Sequence, residues 1–171
     1  MKTFNNPFLR SNAFILAGCI AVLFGGNSAQ AVTRSWTGAT FTTWDSGWIP
    51  SGTPTTADDL TILGPANVAG ALTININTAA FANTIDFTDP SAVTLSNTSG
   101  ADKTLTLQNG LTTGSGAVTI GSVTATQGVL IPLGASQTWN IGSSGLTTNN
   151  AISGVGFGIT KTGTGTLTQT G

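Results

Sequence analysis

The side chains able to do acid–base, nucleophilic or metal chemistry are few enough to name. Beyond residue 31 the ionisable groups are Arg34, Lys103 and Lys161 against Asp45, Asp58, Asp59, Asp86, Asp89 and Asp102. His, Tyr and Glu are absent from the whole chain, and its one Cys, Cys19, lies near the N-terminus. General acid–base and covalent catalysis draw mostly on the missing types. Asp58-Asp59 is a carboxylate pair that would suit Ca²⁺, yet two adjacent carboxylates supply too few of the roughly six to eight oxygens that ion takes. Turn residues entering a strand are the simpler account of the pair, and Asp86 and Asp89-Pro90 fit a strand end and a turn. A proton-abstracting lyase needs a base and a charge-stabilising group on one face, but Arg34, the only Arg beyond residue 31, precedes the expected strand array. The expectation is therefore a protein with no enzymatic activity, no cofactor and no metal site. Without a basic patch, nucleic acid is excluded as a partner.

The other candidate chemistry is recognition by aromatic area. Trp36, Trp44 and Trp48 fall with Pro50 and Pro54 in a segment spanning residues 32–57. Exposed indole faces would make a platform for sugar rings. Buried ones would instead cover the open end of a stacked core, each removing about 150–250 Å² from water. No clustered carboxylates or amides accompany the three indoles to orient sugar hydroxyls, so a cap is the expected role and a ligand platform the alternative.

The elements that would position these residues begin after a leader. Lys2 and Arg10 flank a positive start, Ala13 to Phe24 is an uncharged apolar run, and Ala29-Gln30-Ala31 follows a Gly-Gly-Asn-Ser break. This three-part pattern predicts a signal peptide over 1–31, cleaved after Ala31 at an Ala29-x-Ala31 site. A run of about twelve residues is too short for a spanning helix, which needs about twenty. Leu16-Ala17-Gly18-Cys19 also resembles a lipobox, making a lipoprotein anchored through Cys19 the minor alternative. Cleavage removes the only thiol, so no disulfide can brace the rest.

Beyond the leader the pattern is all-β. Alternating segments recur at Thr73–Asn77, Thr84–Thr88, Val93–Leu95, Thr104–Leu107, Ala117–Ile120, Val129–Ile131, Thr138–Ile141 and Thr166–Thr168. Apolar residues face one side and Thr, Asn or Asp the other, with Gly, Ser and Asn between segments as turn formers. Leu, Ile, Val and Phe total 42 of 171 residues, about 25%, enough apolar content to build a core rather than remain disordered. Segments repeat roughly every ten residues, which suits a sandwich or a solenoid. Short strands, small turn residues and the quasi-repeat near residues 104 and 166 favour a β-solenoid, with a β-sandwich as the alternative. Three strands per coil predict rungs of about 30 residues and roughly four rungs over 58–171. The strands are too short, and the aromatics too few, for a transmembrane barrel.

The last residues carry a family resemblance. Gly158-Ile159-Thr160-Lys161-Thr162-Gly163-Thr164-Gly165-Thr166-Leu167-Thr168-Gln169-Thr170-Gly171 resembles the autotransporter-associated β-strand repeat, with Gly158, Lys161, Gly163, Gly165, Leu167 and Gly171 at its motif positions. The opening Trp-x-Gly, Trp-Asp and Asp-Asp-Leu-Thr-Ile pieces also look like the start of long exported proteins carrying it. Gln169 departs from the pattern, which prefers an apolar residue there, and the sequence stops before the second half of the repeat. The resemblance implies a right-handed parallel β-helix passenger on or outside the bacterial envelope, in which the repeat assists export and folding. Outer-membrane secretion machinery or a barrel domain would then be its partner. On the residues alone, Gly163 and Gly165 provide a tight positive-φ turn, Leu167 points inward between Thr166 and Thr168, and Lys161 points to solvent as an edge charge. The expected whole is a truncated structural or surface-display segment prone to self-association. Its alternatives are a carbohydrate-binding or adhesin module at a surface polysaccharide and a fragment of a polysaccharide-degrading β-helix enzyme.

Overall fold

A computed structural model of the chain describes residues 30–37, 43–63, 70–124 and 126–171. The expected leader, including Cys19 and Ala29, lies outside them, apart from Gln30 and Ala31. Among the described residues there is no helix, and fourteen strands follow in chain order. They are β1 (Thr33–Trp36), β2 (Trp48–Ile49), β3 (Asp59–Ile62), β4 (Leu72–Asn75), β5 (Ala80–Phe87), β6 (Val93–Ser96) and β7 (Lys103–Thr113). The second half comprises β8 (Val118–Ile120), β9 (Val129–Pro132), β10 (Gln137–Asn140), β11 (Leu146–Thr148), β12 (Ile152–Ser153), β13 (Ile159–Thr162) and β14 (Leu167–Gln169).

Every strand pairing is parallel except β1 with β2. A sandwich needs antiparallel sheets facing each other, so that alternative is excluded and the chain is a parallel β-solenoid. One face stacks β4, β6, β8, β11 and β14. A second stacks β1, β3, the latter half of β5, the latter half of β7, β10 and β13, and a third stacks the first halves of β5 and β7 with β9 and β12. On the second face, Arg34, Leu60, Ile85, Leu111, Trp139 and Lys161 lie in one register column. Six positions joined by five steps give about five turns. Successive members are 22 to 28 residues apart, shorter than the expected 30.

Stacking puts like on like, and the core follows. Leu60, Ile85, Leu111 and Trp139 are all buried, as are Ile74, Leu95 and Ile120 in a column on the first face. Leu72, Val93, Val118, Leu146 and Leu167 form a parallel inner column beside it. Each buried aliphatic side chain here contributes about 1.5–3 kcal/mol relative to exposure.

Where β5 to β6, β7 to β8, and later rungs turn the same corner, the chain has no room for a side chain. A Cβ on Gly142 would collide with the carbonyl oxygen of Gly114, and one on Gly165 with that of Gly142. A Cβ on Gly114 would lie 3.0 Å from the Phe87 carbonyl oxygen. Gly165 is therefore needed for close approach between rungs, whereas Gly163, at φ +77, is the residue that uses the left-handed region. Gly142→Ala should destabilise the protein by about 1–3 kcal/mol through overpacking against backbone that cannot yield. Denaturant unfolding checks it, with Thr162→Ala on the exposed face as a control expected to stay within about 0.5 kcal/mol.

Candidate functional site

The residues singled out for chemistry collect at the two ends of the stack and in one shallow groove. At the N-terminal end β1 pairs parallel with β3 on one side and antiparallel with β2 on the other. Thr33 to Trp36 therefore already form a rung strand, so the parallel stack begins ahead of residue 58. Trp36 and Trp44 are fully buried and Trp48 is 3% exposed. Trp44 and Trp48 meet edge to face, with ring centroids 5.1 Å apart. The Trp36 indole N–H donates to the Ser46 carbonyl at 3.0 Å, and that of Trp48 to the Trp44 carbonyl. No indole among the three presents a face on which a sugar ring could stack.

Beside them, Asp58 gathers the chain. Its carboxylate accepts from the Val32 N–H at 3.0 Å, the Arg34 Nε at 3.0 Å, and the Thr55 N–H and hydroxyl at 2.9 and 3.2 Å. Arg34 also donates through Nη1 to the carbonyls of Pro50 and Ser51. Burial alone would push the Asp58 carboxyl up, but the Thr55 N–H, the Arg34 hydrogen bond, the Val32 N–H and the Arg34 charge together hold it below the ordinary value. Among the described residues this is the one ion pair. Sequence reasoning treated Arg34 and Asp58 separately, yet their separation of 24 residues, about one rung, was the available signal. An open recess of about 360 Å³ adjoins the site, lined by Thr53, Pro54, Thr55, Thr56 and Phe81.

The groove lies on the outer side of the second face. Thr84, Asp86, Asn109, Gly110, Thr112 and Thr138 line a depression of about 270 Å³. Gly110 makes its floor, because a Cβ there would press on the Thr138 carbonyl oxygen. Asp86 is the second-last residue of β5, at the strand end where it was expected, and burial raises its pKa above the ordinary value. Asp59, one rung away, is taken up by hydrogen bonds from Asn83 and Thr84. A lone carboxyl with hydroxyl and amide neighbours can accept or donate a hydrogen bond. The groove brings no cationic partner to stabilise developing charge. Among the described residues no three His, Cys, Asp or Glu side chains converge as a metal site would require.

At the C-terminal end Lys161 reaches solvent as expected, although its register position is on an inner column. Its register partner is the inward Trp139, so Thr160 and Thr162 take the outward positions. Lys161 ends an inner column, and its ammonium donates to the Gly163 carbonyl at 3.0 Å. Leu167 is inward as expected, and Gln169 continues the column of Ile120 and Thr148. Gly158 accepts from the Gln137 N–H at 3.0 Å, and a Cβ on Gly171 would crowd the backbone of Asn149 and Asn150. Ala31, the described half of the expected cleavage signal, is exposed just before β1.

Neither protein-family models, curated proteins nor solved structures match this chain.

The Asp58 cluster makes a pH prediction. A carboxyl held low in the folded state adds stability above its unfolded pKa, and that increment is lost as pH falls through the folded pKa. Asp58→Asn should cost about 3 kcal/mol at neutral pH, by leaving Arg34 without its partner, and should flatten the acid limb of a stability–pH curve. Asp86 has the opposite sign, since its raised carboxyl opposes folding when ionised. Asp86→Asn should leave neutral-pH stability unchanged or higher, as urea unfolding at neutral and acidic pH would measure.

Proposed function

We propose that this chain is a non-catalytic structural and surface-display segment of an exported bacterial protein. In this reading the leader directs it out of the cytoplasm, and outer-membrane machinery or a barrel domain delivers it to the cell surface or beyond. The repeat-like motif at 158–171 assists export and folding, while the Trp-rich segment caps the first rung.

The observation that carries the reading is where the buried polar groups go. Among the described residues, Asp58, Asp89, Asn97, Thr113, Gln137 and Thr148 are the buried polar or charged residues, and each hydrogen-bonds within the solenoid itself. Asn97 reaches the carbonyls of Ala101 and Gly128, and Gln137 reaches the Leu107 carbonyl while accepting from the Trp139 indole. These side chains are used within the solenoid itself, and among the described residues the buried side-chain donor without a partner is the Trp44 indole N–H. At the far end Ile152, Ile159 and Leu167 pack on the core only partly buried, beside the exposed Phe157. The outer edges of β12, β13 and β14 carry no further strand among the described residues, and such edges invite pairing.

Two measurements test the reading. Light scattering of residues 32–171 should show association rising with concentration, and Ile159→Lys at the exposed end should reduce it; a stable monomer at high concentration would contradict this. Titrating intrinsic Trp fluorescence with polysaccharides should give no saturable shift. A saturable shift abolished by replacing Trp36, Trp44 or Trp48 would establish the carbohydrate-binding alternative in its place.

A further inference from the structure

The outer side of the first face carries an array that the structural reading does not use. Thr73, Thr94, Thr119, Thr147 and Thr168 occupy one register column, one threonine on every rung from β4 to β14. The column beside it runs Asn75, Ser96, Gly121, Asn149 and Thr170, tied along its length by hydrogen bonds. Ser96 donates to the Asn75 side chain at 2.6 Å, Asn149 to the Gly121 carbonyl at 3.2 Å, and Thr170 to the Asn149 side chain at 3.1 Å. The other flank is small, with Ala92, Ala117, Gly145 and Thr166 in the corresponding positions. This sheet pairs without a register shift from β4 to β14.

The threonine hydroxyls are in a particular state. Thr84, Thr88 and Thr113 elsewhere in the stack bond to protein groups, but among the described residues none of the five ladder hydroxyls does. Neighbouring strands lie about 4.7–4.9 Å apart, so the column extends about 19 Å. That spacing exceeds the roughly 2.5–3.0 Å over which hydroxyls bond one another, so each must bond water. β-Branched side chains are stiff at χ1, which fixes hydroxyl and methyl directions alike. The face therefore holds a row of water sites at the rung repeat, between methyl groups that offer them no competing bond.

We propose that this face binds ice. A water row at the strand repeat is close in spacing to the oxygen repeat of the ice lattice, so a flat crystal surface can continue it without rearrangement. Charge complementarity points the same way, because ice is neutral and among the described residues no charged side chain lies on this face. The outer side of the second face carries Asp59 and Asp86. Charged groups would hold differently oriented hydration shells and break the register. Rigidity matters because the waters are ordered before contact, which lowers the cost of binding.

The test uses folded residues 32–171, with circular dichroism confirming the β signal of every variant. The protein should partition into a slowly growing ice shell and show a gap between melting and freezing temperatures. Thr119→Tyr, at the centre of the face, should reduce both to about a tenth or less, as for a residue central to its interface. Thr112→Tyr on the second face should leave both unchanged. Exclusion of the folded wild-type protein from ice would overturn the proposal, as would a Thr119→Tyr variant that binds ice like wild type. Retention on crystalline cellulose or chitin without retention in ice would overturn it as well, as would a change only in oligomeric state.

Discussion

Everything in this molecule is subordinate to parallel, in-register stacking at a fixed strand spacing. Once β3 lies on β1 and β5 on β3, each residue has an equivalent directly above and below it. A residue type must then satisfy the same environment on successive rungs. Inward columns become aliphatic or aromatic, as with Leu60, Ile85, Leu111 and Trp139. Corners become glycine where carbonyl groups of adjacent rungs meet, as at Gly114, Gly142 and Gly165. A charge inside such a column would have a like or apolar neighbour on both sides, at a desolvation cost the stack has no means to offset. The column on the second face accordingly carries cations only at its extremities, Arg34 tied to Asp58 and Lys161 reaching out to the Gly163 carbonyl.

The same constraint explains the composition. Outward positions need a side chain that is polar, compact and content on a pleated surface, and threonine meets all three requirements. The chain has 32 of them and no glutamate. Asn97, Asn150 and Gln137 add side-chain bonds to backbone groups of the neighbouring rung, beside the regular ladder.

Much of this was legible from alternation. Leu105 and Leu107, Val118 and Ile120, or Thr138 to Ile141 sit in period-2 segments that the structure makes into strands, and their spacing favoured a solenoid. What escaped did so for identifiable reasons. Gly110 looks like a breaker, yet β7 runs through it because the missing side chain admits the Thr138 carbonyl. Ala80 and Ala82 are small enough that the first half of β5 resembled a connection. Thr148 points inward and blurs the alternation of β11. Orientation at Lys161 was ambiguous because Thr-Lys-Thr alternates either way, and only pairing with Trp139 decides it. Arg34 and Asp58 met because rung length, not local pattern, brings them together.

Rung length also governs how the chain finds its structure. Nearly all stacking contacts join residues 21 to 28 positions apart, whichever rung they belong to. Loop-closure entropy grows only with the logarithm of separation, so laying each new coil on the last carries nearly the same entropic cost. Contacts of intermediate, uniform range give a search that lengthens in proportion to the number of coils and does not require distant ends of the chain to meet. The buried indoles beside β1 and β2 gather the largest side chains at one extremity. A growing front that starts there would advance in the order in which the residues are synthesised.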